Sequence, residues 1–147
     1  MCFSLYAGTA NPLPRRAWDK DVRNLNVAPL AEREGGIVSH FSFREVQHIG
    51  STSGCRCDFP HVTLTRGSWV GYPDIVVDDP AWEASERVNR EALVALLRDS
   101  GENTIELYGV WDGEFEKPVN VREKISLIRI LEPGFRFKER GFYTVSL

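Results

Sequence analysis

No run in this chain approaches the ~20 consecutive apolar residues that a membrane-spanning helix needs, and its 18 basic residues are spread along the chain instead of gathering into a patch. The first absence excludes a helical membrane protein. The second, set beside 21 acidic residues and a net charge of -3, leaves a nucleic-acid backbone little to hold. Cysteine is scarce as well. There are three, and the opening Met-Cys-Phe-Ser-Leu-Tyr-Ala-Gly lacks the charged start and sustained apolar core of a signal peptide. An odd number of cysteines in such a chain argues for reduced thiols and against a disulfide framework. The expectation is a cytoplasmic protein with neither nucleic acid nor membrane as its partner.

What is present reads as an ordinary packed protein, with 42% hydrophobic, 27% charged and 11% aromatic residues. A chain of 147 residues fits one domain, 1–147, and buries roughly two-thirds of the surface it would expose unfolded. No repeat, low-complexity tract or linker divides it.

Alternation from Cys2 to Ala7 sets Phe3, Leu5 and Ala7 against Cys2, Ser4 and Tyr6, the period-two pattern of a strand. From Asn11 to Gly36, prolines at 12, 14 and 29 and the Gly35-Gly36 pair leave little periodicity. That segment reads as a long connection wrapping the core, with at most a helical turn at Leu30 to Arg33 and with Trp18 as an anchor against the domain. Ile37 to Phe43 and Val46 to Ile49 are rich in β-branched and aromatic residues and read as strands, and Val62 to Thr65 resumes a strand-like run. Arg66 to Asp78 is turn-rich, with an aromatic loop at Trp69 to Tyr72.

The clearest helix runs from Pro80 to Ser100. Asp79 stands at its N-cap, proline at its first position and Gly101 just past its end. Val88, Ala92, Ala95 and Leu96, flanked by Leu93 and Leu97, form the expected buried stripe, with Glu83–Arg87 and Glu86–Arg90 as outer i,i+4 pairs. Strands follow at Thr104 to Trp111 and Val119 to Leu127, then a helical turn from Ser126 through Leu131, and two short strands around Gly141. The pattern predicts an α+β fold: an antiparallel or mixed sheet packed on one principal helix.

Chemistry concentrates in one stretch, Val46 to Phe59. Its apolar start runs into Gly50 to Gly54, a loop of small polar residues, and then into Cys55-Arg56-Cys57. The order His48, Cys55, Cys57, His61 supplies two imidazoles and two thiols, the donor types of a tetrahedral zinc site, and Cys2 can replace a histidine. Zinc is the one cofactor these donors imply. The familiar structural zinc pattern has a second Cys pair, which this chain lacks.

A disulfide within Cys55-Arg56-Cys57 closes so small a ring that its chain-entropy contribution is only about 1.6 kcal/mol before strain. The spacing is also not the Cys-x-x-Cys of a redox motif. As an enzyme, the stretch offers Cys55 or Cys57 as nucleophile, His48 or His61 as base, and Arg56 or loop amides as an anion hole. A P-loop is excluded: no Lys and hydroxyl residue follow Gly54, and no helix begins there. Against all of these stands the plain alternative that the cysteines and histidines are core residues.

The function best matched to this sequence is a small accessory protein that binds a protein partner, because four tryptophans accompany an incomplete catalytic set and aromatic residues are over-used in interface cores. A zinc protein, or a thiol-dependent enzyme or redox protein at Cys55 and Cys57, is the competing class.

Overall fold

Phe3, Leu5 and Ala7 alternate with Ser4, Tyr6 and Gly8, and the strand they form is buried along its whole length because it lies in the middle of a sheet. The computed structural model describes residues 2–54, 59–62 and 80–147. Within them the strands are β1 (Phe3–Thr9), β2 (Asn26–Pro29), β3 (Glu45–Gly50), β4 (His61–Val62), β5 (Thr104–Trp111), β6 (Val121–Ser126), β7 (Phe137–Lys138) and β8 (Gly141–Ser146). The helix α1 spans Pro80–Asp99, and 3-10 helices cover Glu32–His40 and Leu127–Leu131. Six strands form one sheet in the order β2-β3-β1-β5-β8-β6, while β4 and β7 pair separately. Every neighbouring pair in the large sheet is antiparallel except β6 with β8. The fold is therefore α+β, a mixed sheet with one principal helix. Among the described residues no helix is long and apolar enough to cross a membrane.

Strand alternation sorts the core into two layers. Phe3, Leu5 and Ala7 join Ile49, Ile105, Leu107 and Val145 on the side covered by Leu93 and Leu97 of α1. On the other side Tyr6, Val46, Tyr108, Val110 and Phe142 meet Ile37 and Phe115. Gly109 is where the backbone must leave room: a Cβ there would run into the Phe3 ring.

Several sequence expectations change. Ile37 to Phe43 is not a strand; Ile37 to His40 belong to the first 3-10 helix. With three residues per turn such a helix aligns every third side chain, and Glu34, Ile37 and His40 fall on that line. Glu34 and Ile37 are buried. The Glu34 carboxylate also accepts the Ala31 N–H at 2.8 Å, which secures the first turn, so a local cap and a tertiary contact override β-branched propensity. The segment 11–36 is not wholly connection either, since Asn26–Pro29 forms β2. It sits at the sheet edge, where a proline removes no needed donor.

The helix ends at Asp99, with Gly101 at φ +74 beyond it. Asp79, Thr63 to Thr65 and Arg66 to Asp78 lie outside the described residues. The buried stripe centres on Leu93 and Leu97 with Val94 and Leu96, while Ala95 is exposed. Arg90 is consequently turned inward. It pairs with Glu83 at 2.7 Å, and Glu86 pairs with Arg136 at 2.9 Å; the anticipated i,i+4 pairs give way to these because Arg90 is on the packed side. At the opposite sheet edge, β6 exposes Arg122 and Lys124, charges of the kind that discourage edge-to-edge pairing.

Candidate functional site

The end of β3 is held more firmly than its small residues suggest. Ser51 is buried. Thr52 donates its N–H (2.8 Å) and hydroxyl (3.1 Å) to the Asn89 side-chain carbonyl, which reaches from α1. Asn89 is itself buried and donates to the Ser85 carbonyl at 3.1 Å. Trp18 donates its indole N–H to the Thr52 carbonyl at 3.2 Å. A Cβ on Gly54 would lie 2.8 Å from the indole, and Gly54 has φ +80, so only glycine allows both the turn and the ring lying against it. At the far side, Phe59 is buried and set edge-on to Phe137 at 6.4 Å.

Cys55 and Cys57, with Arg56 and Asp58, lie outside the described residues, as do Trp69 and Tyr72. The histidines of the same stretch are described, and they part company. His48 faces Tyr6 across the β1–β3 pair, with ring centroids 5.4 Å apart, and is 3% exposed. His61 stacks on Phe3 at 4.3 Å with an interplanar angle of 5°, and meets the edge of Trp111 at 5.1 Å. Since Tyr6 and Phe3 point to opposite faces of the sheet, these two imidazoles do not share one centre. Cys2 is a half-buried free thiol whose carbonyl accepts the Asp112 N–H at 2.8 Å. Among the described residues no group of three or more His, Cys, Asp or Glu is arranged to hold a metal ion.

His61 has a defined state. Its Nδ1 lies 2.8 Å from the Phe59 carbonyl, so Nδ1 carries the proton and Nε2 the lone pair. Burial pushes its pKa below the ordinary range, the Phe59 carbonyl opposing and Arg136 adding to the shift.

His48 belongs to a row that crosses the whole sheet in register: Arg122, Phe142, Tyr108, Tyr6, His48 and Ala28. Its cover is the first 3-10 helix. Tyr6 donates its hydroxyl to Glu34 at 3.0 Å, the His40 ring lies 5.0 Å from Tyr108, and Arg122 sits 4.6 Å over the Phe142 ring. Nearby, Glu106 accepts from the Ser42 N–H at 2.9 Å and from the Ser42 hydroxyl. Tyr6 and Glu34, and likewise Ser42 and Glu106, thus direct hydrogen bonds to one another inside the molecule.

The surface that sequence reasoning passed over is the loop 14–24, every residue of which is exposed. Buried leucines pin both ends. Leu13 is held by the Gln47 side chain, which accepts its N–H at 2.7 Å and donates to its carbonyl at 3.0 Å; Leu25 lies in the core. Between them Arg16 bridges Val27. Asp19 and Val22 close a tight turn, with the Asp21 N–H on the Asp19 carboxylate at 2.9 Å. Trp18 is 45% and Val22 43% exposed. The indole does anchor the wrap, as its isolation in sequence suggests, yet nearly half of it faces outward. The available signal was a tryptophan amid Arg15, Arg16, Lys20 and Arg23 with no periodic apolar neighbours to bury it.

The fold and this surface together describe a mixed-sheet α+β domain that presents one pinned, exposed loop. Comparison with known proteins returned no matching family model, no matching curated protein and no matching solved structure.

Proposed function

We propose that this protein is a cytoplasmic binding protein that engages a protein partner through the loop 14–24, with Trp18 as anchor. One observation carries the reading: a half-exposed indole is fixed by its own N–H on Thr52 and by contact with Gly54. Rigid, amphipathic aromatic rings are the residues on which binding energy concentrates, and fixing one beforehand lowers the entropy lost on association. Selection of displayed peptides against the protein tests it. Peptides that bind should lose at least about tenfold in affinity on Trp18→Ala, a hot-spot-sized effect, while the far-ultraviolet dichroism stays the same. Selection that returns only peptides indifferent to Trp18 would overturn the reading.

A second reading is favoured by His61. A neutral imidazole with Nδ1 tied to a backbone carbonyl and its lone pair on Nε2 is what a zinc ligand or a general base requires. In this reading the thiolates come from Cys55 and Cys57, which lie outside the described residues, and serve either zinc or a reacting substrate. Elemental analysis of the purified protein then finds about one zinc per chain, lost on Cys57→Ser. In the catalytic version the thiols alkylate well below the ordinary cysteine pKa of about 8.5. Metal-free protein whose thiols react only near that value rejects both versions.

A further inference from the structure

We infer that the partner segment taken up by the loop 14–24 is an acidic peptide carrying an apolar side chain, an assignment that rests on the partner-binding reading. The charge on the loop runs against that of the chain. Arg15, Arg16, Lys20 and Arg23 stand against Asp19 and Asp21, a surplus of positive charge in a protein of net charge -3.

The loop's own carboxylates do not consume that surplus. Asp19 accepts the Asp21 N–H within the turn, and Asp21 lies 3.9 Å from Lys20 with both side chains 77% exposed, a contact of little strength in water. Among the described residues no carboxylate pairs with Arg15, Arg16 or Arg23. Guanidinium groups in this condition offer bidentate bonds to carboxylates. Trp18 and Val22, both more than two-fifths exposed, flank the tight turn and provide the apolar contact between the charges.

The sign pattern also selects the class of partner. A nucleic-acid strand brings uniform charge and would set phosphates against Asp19 and Asp21, on a protein whose net charge repels it. A peptide can place carboxylates opposite the arginines and an apolar side chain opposite Trp18, leaving the aspartates facing water.

Fluorescence anisotropy with three labelled synthetic heptapeptides and oligothymidylate tests the assignment. The peptides share a central phenylalanine, flanked by glutamates, by glutamines or by lysines. The glutamate peptide should bind saturably and weaken several-fold as salt rises from about 50 to 200 mM. Arg15→Glu combined with Arg16→Glu should abolish that binding without disturbing the fold, because both side chains are exposed. Trp18→Ala should weaken it at least about tenfold. Equal, Trp18-dependent binding of the glutamine peptide would leave the partner-binding reading standing and overturn the acidic assignment. Tighter binding of oligothymidylate would also overturn it. Binding of none of the probes would overturn the acidic assignment, and if displayed-peptide selection likewise returns nothing dependent on Trp18, the partner-binding reading falls with it.

Discussion

One face of the six-stranded sheet is covered by a twenty-residue α-helix and the other by a nine-residue 3-10 helix, and the side chains beneath them differ accordingly. An α-helix presents a wide apolar stripe; the layer under α1 is Leu5, Ala7, Ile49, Leu107 and Val145 against Leu93 and Leu97. A 3-10 helix presents a single line of residues. Here that line is Glu34, Ile37 and His40, two of them polar, so polar partners must meet them. The Tyr6 hydroxyl meets Glu34, and the Phe115 carbonyl lies 2.8 Å from Nε2 of His40, whose ring lies against Tyr108. A narrow cover thus demands one-to-one matching where a wide one needs only volume. The helix side is also where the exposed loop is fixed, through Leu13, Leu25 and the Asn89–Thr52 contact. His48 lies on the 3-10 side, edge-on to Tyr6, and His61 on the α1 side, stacked on Phe3.

Alkaline pH should produce the largest effect and reach both faces at once. Tyr143 on the helix side and Tyr108 on the other are each raised to about 12, burial being the leading cause in both. An unfolded phenol titrates near 10. Between pH 10 and 12 the unfolded chain has therefore released protons that the folded chain still holds, and stability falls as pH rises through that window while it is untouched below it. At the upper end the loss is roughly 2–3 kcal/mol per tyrosine. Urea unfolding followed from pH 9 to 11.5, with phenolate absorbance alongside, measures it. Normal titration of one tyrosine and not the other would show that one cover is open to water.

Glu34→Ala attacks the matched side directly. The carboxylate accepts both the Tyr6 hydroxyl and the Ala31 N–H, and hydrogen bonds to a charged group contribute about 1.5–3 kcal/mol. A loss in that range is expected in denaturant unfolding, together with faster amide exchange across Glu32–His40. A neutral result would mean that Ile37 alone holds the 3-10 helix on the sheet and that polar matching contributes nothing.

The wide, apolar side was the legible one. β1, β5, β8 and α1 declare themselves through period two or period 3.6, and their sequence ranges agree with the structure within a residue or two. The 3-10 helix was not legible, because its period of three places a glutamate, an isoleucine and a histidine in line. No hydrophobicity pattern registers such a line. Arg90 misled for the same reason: an inward arginine looks from sequence like the outer half of an i,i+4 pair. For the candidate site, sequence marked the Gly50–Gly54 turn and His61 but paired His61 with His48, since residue spacing does not reveal that Phe3 and Tyr6 carry them to opposite faces. Loop 14–24 read as plain connection because its distinguishing property is exposure, which only the fold decides.

The smallest effect gives the finest comparison, because it sets one hydroxyl from each face against the other. Tyr143 accepts the Lys138 N–H at 2.7 Å while its ring packs between Phe135 and Phe137. Tyr108 is enclosed by His40, Phe41 and Phe142, and its hydroxyl is buried with no hydrogen-bond partner among the described residues. Removing an acceptor strands the part-buried Lys138 donor, whereas removing an unmatched hydroxyl strands nothing. Tyr143→Phe should therefore cost about 1 kcal/mol, and Tyr108→Phe should be about neutral or slightly stabilising. The pair is read from urea midpoints at neutral pH with equal m-values. A loss at Tyr108 equal to that at Tyr143 would place a bonding partner at its hydroxyl and make the matching under the 3-10 helix complete.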